Sequence, residues 1–305
     1  MRLFFTLSLL VTILCGCSVT IDKPQSEEEK EQQSEEELAP TTRSELNVEG
    51  ELVVEEQKSL SELLDSMLYI DVRSTKRWDA QPLQYLALGD SLTRGVGDEL
   101  GRFGYTKRLA TTLEKWPTIS EVELDNRGKN GRRSDQLLAL LEKGHYDNEL
   151  PGADLITITL GGNDVMKVVK ADIFSLKKEM FEKELEPFKK RYQEIIQYIR
   201  QHNKTAPIIL IGFYNPFSIV TDEYTPFATI INEWNSSILE IAREDRNACY
   251  VPIADLFTSN DEMVYHTDFF HPNASGYEKM TARVISSMKA CDIEKMSGGR
   301  IGFEE

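Results

Sequence analysis

Beyond about residue 60 the chain alternates short, nearly unbroken apolar runs with longer stretches whose apolar residues recur every three or four positions. The short runs predict strands over Leu83 to Leu88, Glu121 to Leu124, Ala153 to Leu160, Pro207 to Phe213 and Ala248 to Ile253. The longer stretches predict helices over Tyr105 to Trp116, Ser134 to Glu142, Leu176 to His202, Thr225 to Asp245 and Gly276 to Lys289, because helical spacing gathers one apolar stripe for burial. Ser134 suits an N-cap and Gly144 a helix stop. Pro187 is expected to kink or split its helix, since it lacks a backbone donor. Strands without polar alternation are covered on both faces, so the pattern argues for one α/β domain around a parallel five-stranded sheet. The domain is expected over residues 61–291, with 292–305 as a flexible tail.

The chain before this domain has a different character. One cation, Arg2, precedes an apolar run from Leu3 to Leu14, in the order of a secretory signal. That run is shorter than the roughly 20 residues a bilayer span requires. It ends in Leu14-Cys15-Gly16-Cys17, which resembles the bacterial lipoprotein signal and makes Cys17 the candidate lipidation site, with 1–17 as signal peptide. A simple secretion signal or a short anchor is the alternative. Residues 18–60 read as an acidic disordered tether: up to Lys58 they carry 13 acidic residues against four basic ones, or −9 of the formal −16. Such a segment buries too little apolar surface to offset chain entropy. With it set aside the folded part is only mildly acidic, which disfavours nucleic acid as a partner. Localisation is therefore expected to be extracytoplasmic, with a membrane contact through the lipid. Cys249 and Cys291 remain as either a disulfide or separate residues, with Cys249 fitting a small core residue. No Cys or His spacing suggests a metal, and no cofactor is expected.

In an open parallel sheet, sites form beyond the carboxyl ends of the strands. Four polar blocks fall there: Gly89-Asp90-Ser91, Asn126 to Gly131, Gly161-Gly162-Asn163-Asp164, and Asp268 to Asn273 ahead of the last helix. A serine hydroxyl needs a base to take its proton and a third group to hold that base. Asp268 and His271 are spaced so that the carboxylate can orient one ring nitrogen while the other faces Ser91. The Ser91 and Gly131 N–H groups and the Asn163 amide are candidate donors to a developing oxyanion. Taken alone, Ser91 also reads as a turn serine and His271 as a helix-start histidine. Asp90 and Asp164 read as network residues. Arg94, Arg132 and Arg133 are either surface cations or contacts for an anionic substrate. Val165, Met166 and Val168 line either an acyl pocket or the core, and of the remaining histidines only His266 is expected near the cleft.

These blocks resemble those of the SGNH, or GDSL, hydrolases. GDSL at Gly89 to Leu92, the Asn126…Gly131 segment, GGND at Gly161 to Asp164 and Asp268-x-x-His271 follow the family's order over roughly residues 83 to 290. The resemblance implies a three-layer α/β/α flavodoxin-like fold and a serine esterase, lipase or carbohydrate acetylesterase working through an acyl-serine. It implies Ser91 as nucleophile, His271 as base and Asp268 as its orienter, with Ser91, Gly131 and Asn163 forming the oxyanion hole. Gly128 competes with Gly131 for that role. The G-x-S-x-G elbow of α/β-hydrolases is absent. The alternative in another class is a catalytically silent lipoprotein that binds acylated ligands in the same cleft. Acyl length, alcohol and oligomeric state are not legible.

Overall fold

A computed structural model describes residues 80–172, 175–218, 226–258 and 263–303. The signal, the tether and the domain's first residues lie outside this range. Five strands, β1 (Gln81–Gly89), β2 (Ile119–Gly128), β3 (Leu155–Thr159), β4 (Ile208–Ile211) and β5 (Ala248–Val251), form one sheet in the order β2-β1-β3-β4-β5. Every pairing is parallel. The strand order reverses between β1 and β3, so the crevice beyond their carboxyl ends is the place where a ligand fits.

The helices are α1 (Ser91–Arg94), α2 (Gly104–Leu113), α3 (Ser134–Glu142), α4 (Gly162–Ala171), α5 (Lys178–His202), α6 (Pro226–Glu244), α7 (Ala274–Ala290) and α8 (Ile293–Met296). They cover both faces of the sheet. In β1, Leu83, Tyr85 and Ala87 join Leu109, Tyr105, Met280 and Val284 in one core. Leu86 and Leu88 face the other way, onto Leu137, Phe188, Ile195 and Trp234. This is the period-2 division expected of a strand buried on both sides.

Several expectations need correction. β2 is ten residues long rather than four and runs through Asn126 to Gly128. It is the sheet edge, where polar side chains cost little, and Arg127 pairs there with Asp125 at 2.6 Å and Glu149 at 2.8 Å. Ser134 is the first residue of α3, not its cap, which is Arg133. Pro187 sits inside an uninterrupted 25-residue helix. The ring lies on the exposed face, where water can satisfy the carbonyl it leaves without a partner, while Phe181, Phe188 and Tyr192 bury the opposite side.

The chain after 291 is not frayed up to residue 303. Ile293 and Ile301 are fully buried, the Gly302 N–H donates to Thr118 Oγ1 at 2.8 Å, and Phe303 meets Trp116 edge-on at 5.3 Å. Cys249 and Cys291 are joined as a disulfide with Cα atoms 5.9 Å apart. The bond ties β5 to the end of α7, so Cys249 is both core residue and crosslink.

Candidate active site

The site begins with the exit from β1. Gly89 has φ +147°, and a Cβ there would stand 2.4 Å from Thr159 Oγ1 and 2.6 Å from Thr93 Oγ1. Only glycine lets β1 end so close to β3. Asp90 then caps α1: its Oδ1 accepts the Leu92 N–H at 2.9 Å and the Thr159 hydroxyl at 2.8 Å. Ser91 is the first residue of α1 and is 6% exposed.

Beneath this turn lies a buried chain of hydroxyls. Tyr85 and Tyr105 meet Thr157 Oγ1 at 2.9 and 3.0 Å. Tyr105 meets Thr93 at 3.0 Å, and Thr93 meets Thr159 at 2.7 Å. Burial pushes the Asp90 carboxyl up to about 6, against the bonds from Thr159 and Leu92. The sequence reading missed this network. Its one signal was the alternation Thr157, Thr159 in β3, which points both hydroxyls to the face that carries Tyr85.

Over the turn comes the loop before α7. His271 Nε2 lies 3.0 Å from Ser91 Oγ, and His271 Nδ1 lies 2.7 Å from Asp268 Oδ2. Asp268 Oδ1 also accepts the Phe270 N–H at 3.0 Å and the His271 N–H at 2.9 Å. Burial raises the Asp268 carboxyl, but these bonds outweigh it and hold the group below its ordinary range. A carboxylate that stays ionised keeps Nδ1 protonated and leaves Nε2 as acceptor toward the serine. The loop is pinned by the His266 N–H to His271 O at 2.8 Å, by Tyr214 Oη to Phe270 O at 2.6 Å and by the Asn273 cap on Gly276 N–H at 2.9 Å. It comes close because Gly97, at φ +90°, offers no Cβ where one would stand 2.5 Å from Pro272 O and 3.0 Å from His271 Cβ. His266 Cβ also lies 3.1 Å from where that Gly97 Cβ would stand.

Among the described residues no hydrogen bond engages the Ser91 N–H, the Gly131 N–H or the Asn163 side-chain amide. Gly128, by contrast, donates its N–H to Asn126 Oδ1 at 2.9 Å. Asn126 itself is a clamp, giving its amide to Thr93 O at 2.6 Å and Thr106 Oγ1 at 2.9 Å. Asp164 is buried below the site and accepts the Ser134 hydroxyl at 2.6 Å and the Ser134 N–H at 3.0 Å, with Arg191 3.4 Å away. Its carboxyl is raised by burial despite those partners.

The three arginines separate. Arg132 is buried and donates to Arg127 O at 2.6 Å, Arg133 pairs with Asp135 at 2.9 Å, and Arg94 is exposed. Val165 and Val168 are core residues, and the half-buried Met166 packs against the same core. His145 and His202 lie away from the site, beside Tyr146 and Asp147 respectively. No group of three or more His, Cys, Asp or Glu suited to a metal occurs among the described residues.

Residues 87–279 match the family model of the GDSL-like lipase/acylhydrolase family. An uncharacterized protein, YpmR, of Bacillus subtilis strain 168 is 34% identical over 211 residues, which cover 68% of this chain and 82% of that one. The spore germination lipase LipC of Bacillus licheniformis is 28% identical over 211 residues, covering 66% and 94%. Among solved structures, the lipase Lip_vut3 from a goat rumen metagenome superposes with a TM-score of 0.57 at 26% identity, over 67% of this chain and 97% of its own. An acetylxylan esterase of Geobacillus stearothermophilus shares the fold, with a TM-score of 0.51 at 18% identity over 74% and 97%. The chain belongs to the GDSL-like lipase/acylhydrolase family and is a serine ester hydrolase.

Proposed function

We propose that the chain is an extracytoplasmic, lipid-anchored acylhydrolase that cleaves carboxylic esters of lipid-like alcohols through an acyl-serine at Ser91. The observation that carries the catalytic part is the hydrogen-bonded sequence Ser91–His271–Asp268. Ser91 Oγ attacks the ester carbonyl carbon as its proton passes to His271 Nε2. The carbonyl oxygen takes the negative charge and is held by the Ser91 and Gly131 N–H groups and the Asn163 amide. Each such donor contributes about 3 kcal/mol in comparable acyl transfer. Collapse breaks the ester C–O bond, and the proton on His271 goes to the leaving alcohol. Water then attacks the acyl-serine with His271 as base, which frees the carboxylic acid and returns the proton to Ser91. Asp268 keeps the ring in the required tautomer throughout.

Lipid-like esters are favoured over acetylated sugars because the lipases named above are 28% and 26% identical. The acetylxylan esterase, at 18%, shares the fold alone. Anchoring through Cys17 is supported by the apolar run and Leu14-Cys15-Gly16-Cys17. The Cys249–Cys291 disulfide is in keeping with an oxidising compartment. The test of the catalytic part is hydrolysis of p-nitrophenyl esters of graded acyl length by wild type and Ser91→Ala. Ser91→Ala is expected to lose turnover while keeping its far-UV circular dichroism. Wild-type turnover in that variant would refute the nucleophile.

A further inference from the structure

Four large apolar side chains stand out from an otherwise well-buried set: Leu100 is 60% exposed, Phe103 63%, Met263 73% and Phe269 59%. All four fall on two loops, one between α1 and α2 and one leading to α7, and both loops border Ser91 and His271. The loops touch each other. Gly97 approaches Pro272 O and His271 Cβ, and Glu99 Oε2 accepts the N–H of Ala274, at the start of α7, at 3.2 Å.

Three of these residues also occupy left-handed backbone, Phe103 at φ 52°, Met263 at φ 45° and Phe269 at φ 52°. That conformation is unfavourable for any side chain with a Cβ, and asparagine or glycine would relieve it. A large apolar residue that is strained and also exposed gains nothing for the fold. Strain at such positions marks a use outside folding. Exposed large apolar side chains gathered on neighbouring loops mark an interaction surface.

The charge beside this face indicates what meets it. Gly101 to Phe103 form one lip of an open groove of about 1330 Å³ that runs between the β2 edge, α2 and α7. Arg94, Arg102, Lys107 and Lys115 line it, with Glu278 as the acid on its wall. None of those four cations has an ion pair or hydrogen-bonded side-chain partner among the described residues. Unpaired cations gathered at one face of a chain with formal charge −16 fit an anionic counterpart. Apolar prongs flanked by cations suit a surface that offers acyl chains beneath negative headgroups.

We propose that the two loops dock on an anionic phospholipid surface, with Phe103 and Phe269 entering the acyl region and the groove cations meeting the headgroups. Docking brings the mouth of the Ser91 site to the lipid. This deepens the reading of the chain as an acylhydrolase of lipid-like esters and rests on that reading for its consequence at Ser91, but the docking itself requires no turnover.

The test uses the full chain carrying Ser91→Ala, with Phe103→Trp or Phe269→Trp added singly. Lys190→Trp on α5, whose side chain is 77% exposed, serves as the control and reports any binding through the N-terminal segment alone. Fluorescence quenching by lipids brominated along the acyl chain is measured on vesicles of about one third phosphatidylglycerol and on pure phosphatidylcholine. On the anionic vesicles Phe103→Trp and Phe269→Trp are expected to be quenched at least about twofold more than Lys190→Trp. The excess should fall on uncharged vesicles and with the triple change Arg102→Gln, Lys107→Gln, Lys115→Gln. Quenching no greater than that of the control overturns the docking surface. Equal excess on uncharged vesicles overturns its anionic partner. The esterase reading is judged separately, with Ser91 intact, on soluble esters, so either can fail without the other.

Discussion

Two carboxylates flank Ser91, and their surroundings drive them apart. Asp90 lies below the serine, sealed between β1 and β3, and burial raises it to about 6 even though a threonine hydroxyl and a backbone N–H bond to it. Asp268 lies above on a loop, with its side chain 39% exposed, and three donors outweigh its partial burial and keep it ionised. The more buried acid would be the first suspect from its shifted titration alone. Yet its partners are all scaffold, whereas the ordinary-looking acid touches the histidine that touches the serine. Contact with the reacting groups, and not the size of a shift, decides which carboxylate does chemistry.

The sharpest way to break this contrast is to neutralise each acid in turn. Asp268→Asn should lower kcat by about 10³ to 10⁴-fold, as loss of the orienting carboxylate does in serine hydrolysis generally, with little change in KM. Steady-state kinetics on a soluble ester measures it, and a loss under about tenfold would mean that His271 needs no carboxylate. The donors come next. Asn163→Ala should cost about 10² to 10³ in kcat. A change confined to KM would place the amide on the substrate rather than on the oxyanion.

Smaller effects fall on stability. Replacing both Cys249 and Cys291 by serine opens a crosslink across 42 residues and should remove about 2 to 4 kcal/mol, read by urea unfolding. Unfolding midpoints equal to wild type under oxidising conditions would mean that the bridge contributes nothing.

The smallest effect isolates Asp90. Its folded value of about 6 lies above the ordinary carboxyl value of 3.8, so between those pH values the unfolded chain releases a proton that the folded chain retains. Stability from this group therefore falls as pH rises from about 4 to 6, by at most about 3 kcal/mol, and is level above that. Asp268 has the opposite sign, because its lowered carboxyl stabilises the fold above its unfolded value and loses that contribution in acid. Asp90→Asn keeps an acceptor for Leu92 and Thr159, and the difference between its stability curve and that of wild type should shrink toward zero below pH 4. A difference independent of pH would contradict the assignment.

The same contrast explains what could be seen in the sequence. The sheet was legible because β1, β3 and β4 are short runs buried on both faces, and Ser91 and His271 were legible because one follows β1 and the other stands three residues after Asp268, just ahead of α7. The partners of Asp90 were not, since Thr159 is 69 residues away and nothing local marks which hydroxyls a fold will stack. β2 was cut short because Asp125 to Gly128 carry no strand composition, and an edge strand requires none. The 292–303 segment carries polar and glycine residues, and only its packed isoleucines and Phe303 reveal that it is held. Pro187 misled for a similar reason: a solvent-facing carbonyl finds water, and the buried aromatics on the opposite face keep the helix whole.

The most direct measurement is covalent labelling of the intact chain with a fluorophosphonate, followed by mapping of the adduct by peptide mass spectrometry. The account predicts one adduct, on Ser91, formed rapidly in wild type and slowed by orders of magnitude in His271→Ala. A folded wild-type chain that stayed unlabelled, or an adduct on another residue, would contradict it.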